Sequence, residues 1–324
     1  MASVRRVRDP GRLPKWLAGP GFVLALGLAL TASIAQTSTP ERVDPLIVAD
    51  DDFARHRDPA LWQGLSVTRI AVEEGPVSWR FFRIVNTAQP AGPLWVVTHD
   101  NENATFAAML IALRSYGGVA IIVDSGARDD DDSARFNWFT GGRPIDPNRH
   151  FDDRNPAYVG AVLGDLAGHQ RLIVALHTNE PGFDPALTGC GGVRGAGAGN
   201  ISVRLCSTRW HPVAAPVARW PFDDEDSVAL VAYLATKPQG SARCGPALVA
   251  AGYNVVFERV ARSDGSLSNY AVQHGLAYVN VETRDRGTTA AGIADARGRL
   301  IAMIDGVMER CADVPGVSLR LASR

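Results

Sequence analysis

The sequence predicts an α/β fold, a three-layer α/β/α sandwich around a mixed, mostly parallel twisted sheet. Short continuous apolar runs recur along the chain, and such runs are typical of strands buried on both faces. Segments with helical character alternate with these runs, which favours a sheet covered by helices on both sides. A hydrophobic content of 46% and a charged content of 21% over 324 residues are typical of a globular chain with a large core.

The predicted elements follow in chain order. A hairpin-like pair of strands is expected at 66–72 and 79–85, separated by the turn residues Gly75-Pro76. Buried strands are expected at 94–98, 119–123, 172–176, 254–258 and 277–281. Helices are expected at 103–116, 156–168, 246–252, 266–275 and 290–311. Residues 126–156 and 179–222 lack such patterns, and long irregular segments of this kind are often functional in compact domains.

The first 35 residues differ in kind from the rest. A basic region precedes an apolar run at 22–30, and Ser33-Ile34-Ala35 offers small residues where a signal peptidase cleaves. This pattern predicts a signal peptide cleaved after Ala35, and therefore a secreted or periplasmic protein. Because the basic region is long, an uncleaved N-terminal membrane anchor is the alternative. Residues 36–62 are predicted to be a linker or N-terminal extension, and residues 63–324 one folded domain.

The cysteines and the charge narrow the class of protein further. An even number of cysteines in an exported chain favours disulfides. Cys190 with Cys206 would close a Gly-rich loop, and Cys244 with Cys311 would tie the last helix to the body; free, buried cysteines are the alternative. A formal net charge of -1 gives no indication of a nucleic-acid partner.

Polar residues follow three of the predicted buried strands. His99 with Glu102, His177 and Glu282 all lie at such strand ends, and in open α/β sheets ligands bind outside the carboxyl ends of the strands. A spacing of three at the start of a helix places His99 and Glu102 on one side. Two histidines and one carboxylate leave a fourth zinc position open, which is the catalytic arrangement. We therefore predict one Zn²⁺ per chain, held by His99, Glu102 and His177, with Glu282 as a general base.

Asn148 and Arg149 form a second polar pair in the segment Asp-Pro-Asn-Arg-His-Phe at 146–151. A guanidinium fork beside an amide suits recognition of a carboxylate. The pair therefore predicts a substrate with a free carboxylate.

These motifs, in this order over about residues 94–290, resemble the zinc metallocarboxypeptidases, including the succinylglutamate desuccinylase and aspartoacylase branch. His99 and Glu102 match the first two metal ligands and His177 the third. The segment 146–151 matches the Asp-x-Asn-Arg-x-Phe pattern of the family, and residues 266–270 and 281–285 resemble its C-terminal stretch, which ends in the catalytic Glu. Pro147 departs from the Leu that is frequent in the family.

The resemblance implies that 63–324 is a zinc carboxypeptidase-like catalytic domain. It also implies an arginine near the oxyanion, for which Arg143 is the first candidate and Arg135 and Arg128 are alternatives. Tyr253 and Tyr270 are candidates for a tyrosine that covers the substrate.

The expected function is hydrolysis of an amide bond next to a free carboxylate. A metallocarboxypeptidase acting on short or cell-wall peptides is expected first, and an N-acyl amino acid deacylase second. A non-catalytic peptide-binding module on the same fold is the third alternative. The partners are thus a peptide or acyl amino acid, no nucleic acid, and a membrane only if the N-terminal segment is not cleaved.

Overall fold

The computed structural model describes residues 36–37, 39–126, 132–167, 171–180, 200–236 and 244–311. The strands are β1 (Gln36–Thr37), β2 (Glu41–Arg42), β3 (Leu65–Glu74), β4 (Val77–Asn86), β5 (Leu94–Val97), β6 (Val119–Asp124), β7 (Ile173–Asn179), β8 (Trp210–Val213), β9 (Val228–Leu234), β10 (Val255–Val260) and β11 (Tyr278–Arg284). The α-helices are α1 (Asp51–Arg55), α2 (Asn103–Tyr116), α3 (Pro156–Leu163), α4 (Cys244–Ala250), α5 (Leu267–Gln273) and α6 (Ala290–Arg310).

The strands form one sheet in the order β1-β3-β4-β6-β5-β7-β11-β9-β10-β8, with β2 paired to β3. The central pairs β6–β5, β5–β7 and β7–β11 are parallel, as is β9–β10. The remaining pairs are antiparallel, including β11–β9 and the β3–β4 hairpin. The sheet is therefore mixed, as predicted, but the expectation that it is mostly parallel is met only in part, for the central strands β6, β5, β7 and β11 and for the β9–β10 pair. The predicted site residues lie in the central parallel part.

Successive residues of the central strands face two different hydrophobic cores. Trp95 and Val97 pack into the core that contains α2 and α6, whereas Leu94 and Val96 pack into the core that contains α3 and α5. The residues of β7 and β11 alternate in the same way. Because side chains alternate across a strand, this pattern places helices on both faces of the sheet and confirms the predicted three-layer sandwich.

Four of the described strands were not predicted: β1 and β2, of two residues each, in the segment expected to be a linker, and β8 and β9 within the domain. Val228–Leu234 is a continuous apolar run, which by periodicity alone cannot be distinguished from a buried helix. Trp210–Val213 lies in a segment expected to be irregular and forms the edge of the sheet beside β10. The predicted helix at 156–168 ends as an α-helix at Leu163 and continues as a short 3-10 turn, Gly164–Leu166.

The segment expected to be a linker or extension, 36–62, packs against the domain where it is described. Asp50 caps α1 by accepting a hydrogen bond from the Phe53 amide. Phe53 is fully buried and stacks on Trp62 with ring centroids 5.2 Å apart. The described part of this segment is therefore an extension that contributes side chains to the hydrophobic core.

The Cys244–Cys311 disulfide joins the start of α4 to the residue that follows α6, with the two Cα atoms 5.1 Å apart. Cys206 also takes part in a disulfide. Cys190, its expected partner, lies outside the described residues, as do Arg128 and residues 1–35, the predicted signal peptide. Within the described part of the chain, no helix has both the length and the apolar character needed to cross a bilayer.

We expect the double substitution Cys244→Ser and Cys311→Ser to lower the free energy of unfolding by about 2–4 kcal/mol, because the bond closes a loop across a sequence separation of 67 residues. Chemical denaturation followed by far-UV circular dichroism measures this change. Under reducing conditions the difference in stability between the two proteins should disappear, because both then lack this bond. Equal stability of the two proteins under oxidising conditions would contradict the expectation.

Candidate metal centre and its cavity

Three neighbouring strands position the predicted site residues. His99 follows β5 by two residues, and Glu102 immediately precedes α2. His177 and Glu282 lie within β7 and β11, where the parallel register pairs them directly. Both face the side of the sheet that α3 and α5 cover. Apolar residues an even number of positions earlier on the same strands pack into the core on that side, and side chains at even spacing on a strand share a face.

The Glu102 carboxylate lies between the two imidazole rings. Its oxygens are 2.6 Å from Nδ1 of His99 and 3.2 Å from Nδ1 of His177. The backbone amide of Thr178 donates a hydrogen bond to Oε2 of Glu102 at 2.8 Å. All three side chains are buried, and one ligand atom from each lies within 4.8 Å of the others. The structure therefore brings His99, Glu102 and His177 together as a group that could hold a metal ion.

Asp146 fixes the orientation of the His99 ring. Its Oδ1 lies 3.0 Å from Nε2 of His99, on the opposite side of the ring from Glu102. If a metal were bound at Nδ1, a carboxylate at Nε2 would hold the remaining ring proton on that nitrogen and fix the tautomer. From the sequence, Asp146 was recognised as part of the 146–151 motif, but no role was predicted for it. Asp100, the acidic residue next to His99 in sequence, is buried and instead accepts hydrogen bonds from the backbone amide and the hydroxyl of Ser125.

The electrostatics of the group favour a cation. Burial alone would raise the pKa of Glu102, but the positive charge of His177 and His99 outweighs it and holds that pKa well below its ordinary value. Burial likewise opposes ionisation of Asp146, yet the hydrogen bond and charge of His99 lower its pKa to about 2. Burial lowers the pKa of His99, and Glu102 and Asp146 overcome this effect and raise it. Both carboxylates are therefore held in their ionised forms, and two negative charges so close together favour a cation.

Glu282 lies beside the group in a different environment. Burial raises its pKa, while the charge of His177 and a hydrogen bond from Asn280 act in the opposite direction. The Asn280 side-chain amide donates to Oε1 of Glu282 at 2.6 Å. Asn280 and Glu282 are two residues apart on β11 and so point to the same face. A buried carboxylate with a raised pKa is suited to taking up and releasing a proton.

A cavity of about 210 Å³ opens onto the candidate metal centre. Asn148 and Arg149 line it, on a short turn that begins at Asp146. Oδ1 of Asn148 accepts the backbone amide of Leu267, so its Nδ2 donors remain for a ligand, and no acceptor for them occurs among the described residues. Gly265 allows the backbone of its own turn to lie close to that of Arg149. A Cβ at this position, where φ is +82°, would lie 2.5 Å from the carbonyl oxygen of Arg149.

The arginines and tyrosines predicted from the resemblance lie in different places. Arg143 is exposed and does not line the cavity. Arg135 lines it, with Nη1 3.5 Å from Oε1 of Glu102 and 3.2 Å from Oε1 of Glu180. Neither Tyr253 nor Tyr270 borders the cavity, whereas Tyr278 does.

Sequence reasoning did not find one group of cavity residues. It consists of charged and aromatic side chains from β8, β10 and the turn before α5, and its members are Arg209, Trp210, Glu258 and Asp264. Glu258, an acidic residue inside a predicted buried strand, was the available signal, because a buried charge requires a partner. Arg209 lies in the segment expected to be irregular, where the sequence carried no such signal.

No protein-family model matches the chain, and no curated protein matches it. Solved structures similar to it include a succinylglutamate desuccinylase from Chromobacterium violaceum, with 13% identity over 76% of this chain and 70% of that one and a TM-score of 0.38. Another succinylglutamate desuccinylase, from a Silicibacter species, has 15% identity over 87% and 73% of the two chains and a TM-score of 0.42.

A third similar structure is the product-bound cell shape determinant protein from Helicobacter pylori. It has 13% identity over 75% of this chain and 57% of that one, with a TM-score of 0.39. The desuccinylases among these structures bear the class name of one branch that the sequence motifs resemble. At such low similarity, however, the function has to be inferred from the side chains of the site.

Substitution Asp146→Asn should weaken zinc binding by about 10–100-fold, because the neutral amide no longer holds the His99 ring and its proton as a carboxylate does. The Asn side chain can still accept the Asn148 amide that caps the turn, so the fold should be retained. Competition with a chromophoric chelator measures the affinity. The matched control is Asp152→Asn, an exposed carboxylate paired with Arg154. Equal zinc affinity in the Asp146 variant and the unaltered protein would exclude this role for Asp146.

Proposed function

We propose that the chain is a zinc-dependent hydrolase that cleaves an amide bond next to a free carboxylate, most directly as a metallocarboxypeptidase acting on short or cell-wall peptides. The observation that carries this proposal is the convergence of His99, Glu102 and His177 beside a separate buried carboxylate, Glu282. The Asn148–Arg149 pair in the same cavity supports a substrate with a free carboxylate.

Zinc is the metal that this set of donors suits. Two imidazoles and one carboxylate are the ligands of several catalytic zinc sites, and Asp146 supplies the outer carboxylate that such histidines commonly contact. Zinc bound there would supply Lewis acidity, which acidifies water and polarises a carbonyl group. His99 and His177 would bind through Nδ1, since these are the nitrogens that face Glu102.

Glu282 is the residue proposed to move protons. Its carboxylate takes a proton from the attacking water as the oxygen adds to the amide carbon, and passes that proton to the leaving nitrogen as the C–N bond breaks. Asn280 holds the carboxylate in place during both transfers. A non-catalytic binding module would have no need for a buried, oriented carboxylate beside the metal ligands, so this feature favours an enzyme.

Arg135 is proposed to stabilise the oxyanion that forms during the reaction. Of the two candidates among the described residues, Arg135 and Arg143, it is the one that borders the cavity, and its Nη1 lies 3.5 Å from the Glu102 carboxylate. A fixed positive charge near a developing oxyanion is one of the larger contributions to catalysis in hydrolases. Asn148 and Arg149 would then orient the substrate through its carboxylate.

An N-acyl amino acid deacylase is the second candidate, favoured by the size of the cavity. A volume of about 210 Å³ accommodates a small acyl amino acid or a single C-terminal residue. We also propose export to the periplasm or beyond, because the Cys244–Cys311 disulfide is a feature of proteins in oxidising compartments. If the N-terminal segment is not cleaved, the domain would be anchored to the membrane.

Metal analysis combined with a substrate panel tests the proposal. The purified protein should contain about one zinc per chain and should release C-terminal residues from short peptides faster than it cleaves N-acyl amino acids. The reverse order of rates would select the deacylase. A protein without near-stoichiometric zinc that remains fully active would contradict the proposal.

Substitution Glu282→Gln should lower kcat by about 10²–10⁴-fold while zinc content stays unchanged, because it removes the base but no ligand.

The acid side of the pH profile provides a further test. The hydrogen bond from Asn280 stabilises ionised Glu282 and so lowers its pKa; Asn280→Leu, similar in shape, removes it and should raise that pKa. Since the base must be ionised, the acidic limb of kcat/KM should shift to higher pH. Thr283→Val is the control, as Thr283 points to the opposite face of β11 and contacts Ser227. An unshifted acidic limb in the Asn280 variant would show that Glu282 is not the titrating base.

A further inference from the structure

Arg209 is held rigidly in the wall of the cavity. Its Nε and Nη2 donate to Oε1 of Glu258 at 3.1 and 2.5 Å, and Nη2 also donates to Oδ2 of Asp264 at 2.6 Å. The guanidinium lies over the ring of Trp210, 4.6 Å from its centroid. Its orientation is therefore set before any ligand binds, which reduces the entropy lost on binding.

Glu258 serves this arrangement from behind. It is 1% exposed, and besides the two bonds from Arg209 it accepts one from Ser268 at 2.8 Å and one from Asn269 at 2.6 Å. Its acceptor capacity is thus used by protein groups. A surface ion pair would need no such buried carboxylate, whose desolvation is costly.

Arg209 and Asp264 both retain free hydrogen-bonding capacity toward the cavity. Their side chains are 40% and 27% exposed, and both line the cavity wall. Nη1 of Arg209 has no acceptor in the described part of the chain. Asp264 accepts from Arg209 and from the Ser266 amide, and its oxygens can each accept further bonds. The wall therefore presents a positive donor and a negative acceptor side by side.

The two charges select for a ligand with both signs. Glu258 offsets part of the Arg209 charge, so hydrogen-bonding geometry contributes to the selection together with charge. A lone carboxylate would accept hydrogen bonds from Arg209 but be repelled by Asp264, and a lone ammonium would donate to Asp264 but be repelled by Arg209. A group that carries a carboxylate and an ammonium on one carbon gains from both partners. The geometry points to Arg209 and Asp264 as specificity-determining residues that bind a zwitterionic amino acid head group on the side chain of the substrate.

This site adjoins the proposed carboxylate-binding pair. Asp264 belongs to the same turn, 264–267, that Asn148 contacts through Leu267. A substrate residue with its own carboxylate at Asn148 and Arg149 could therefore place its side-chain head group at Arg209. The inference rests on the proposed function in that it names the substrate class for the same cavity.

A matched series of amino acids tests the inference by binding alone. 2,6-Diaminopimelate carries a head group at each end; lysine lacks its distal carboxylate, 2-aminopimelate lacks its distal ammonium, and norleucine lacks both. We expect the unaltered protein to bind diaminopimelate about 10-fold or more tightly than each of the other three, as measured by isothermal titration calorimetry. Similar affinities for diaminopimelate and lysine would overturn the inference.

Two variants assign the contacts. Arg209→Met should lower the affinity for diaminopimelate to that for lysine, and Asp264→Asn should lower it to that for 2-aminopimelate. Asp264→Asn keeps the size of a half-exposed side chain, so it remains informative if Arg209→Met destabilises the fold by leaving Glu258 unpaired. Arg154→Met, which removes an exposed arginine paired with Asp152, is the control. An equal loss of affinity for all four ligands would indicate a purely structural role and contradict the inference.

These measurements separate this inference from the proposed function. Binding needs no turnover and can be measured with and without added zinc. If peptides are hydrolysed but the four ligands bind equally, only the specificity assignment is wrong. If no hydrolysis occurs and the ligand preference persists, the assignment of Arg209 and Asp264 holds and the proposed activity is wrong.

Discussion

A buried negative charge, the Glu102 carboxylate, governs the arrangement of the site. It lies beside the central strands, between two imidazole rings, and accepts a hydrogen bond from a backbone amide of the strand that carries His177. A carboxylate in such surroundings is stable only if cations or donors surround it. Asp146, which orients His99, extends the same network by one more charge. The side chains of His99, Glu102 and His177 thus form a group that could hold a metal ion.

The pairing of β7 with β11 brings the base to this group. Direct register between His177 and Glu282 sets the separation of a metal ligand and a proton acceptor through backbone hydrogen bonds, which are far less adaptable than loops. Asn280, on the same face of β11, then positions the carboxylate. By contrast, the groups proposed to bind substrate come from turns at 146–149 and 264–267. The proposed base and one candidate metal ligand, His177, thus lie on strands, whereas the groups proposed to select the substrate lie on the segments between them.

Sequence patterns predicted the elements in which residues of one kind occur together in the same environment. Apolar runs identified the central strands, and polar residues after them identified the candidate ligands, because the carboxyl ends of parallel strands share one edge. The role of Asp146 and the position of Arg135 depend on how a long loop folds back over the sheet, which no local pattern encodes. Arg143, favoured by resemblance, is exposed. The edge strand β8 escaped prediction because its pairing with β10 is a long-range contact.

The alternation of the central strands between two cores has a consequence for how such a chain can change over generations. Ile173 and Ala175 point to the same side as His177, while Val174 and Leu176 point to the other. Both sets are apolar, so loss or gain of one residue within β7 would leave a strand that packs nearly as well but turns His177 toward the wrong layer. The hydrophobic core would tolerate this one-residue shift, whereas the candidate metal centre would lose His177. Length variation in relatives of this protein should therefore be confined to the connections between strands, and a single-residue gap in β7 would mark a copy that has kept its architecture and lost its reaction.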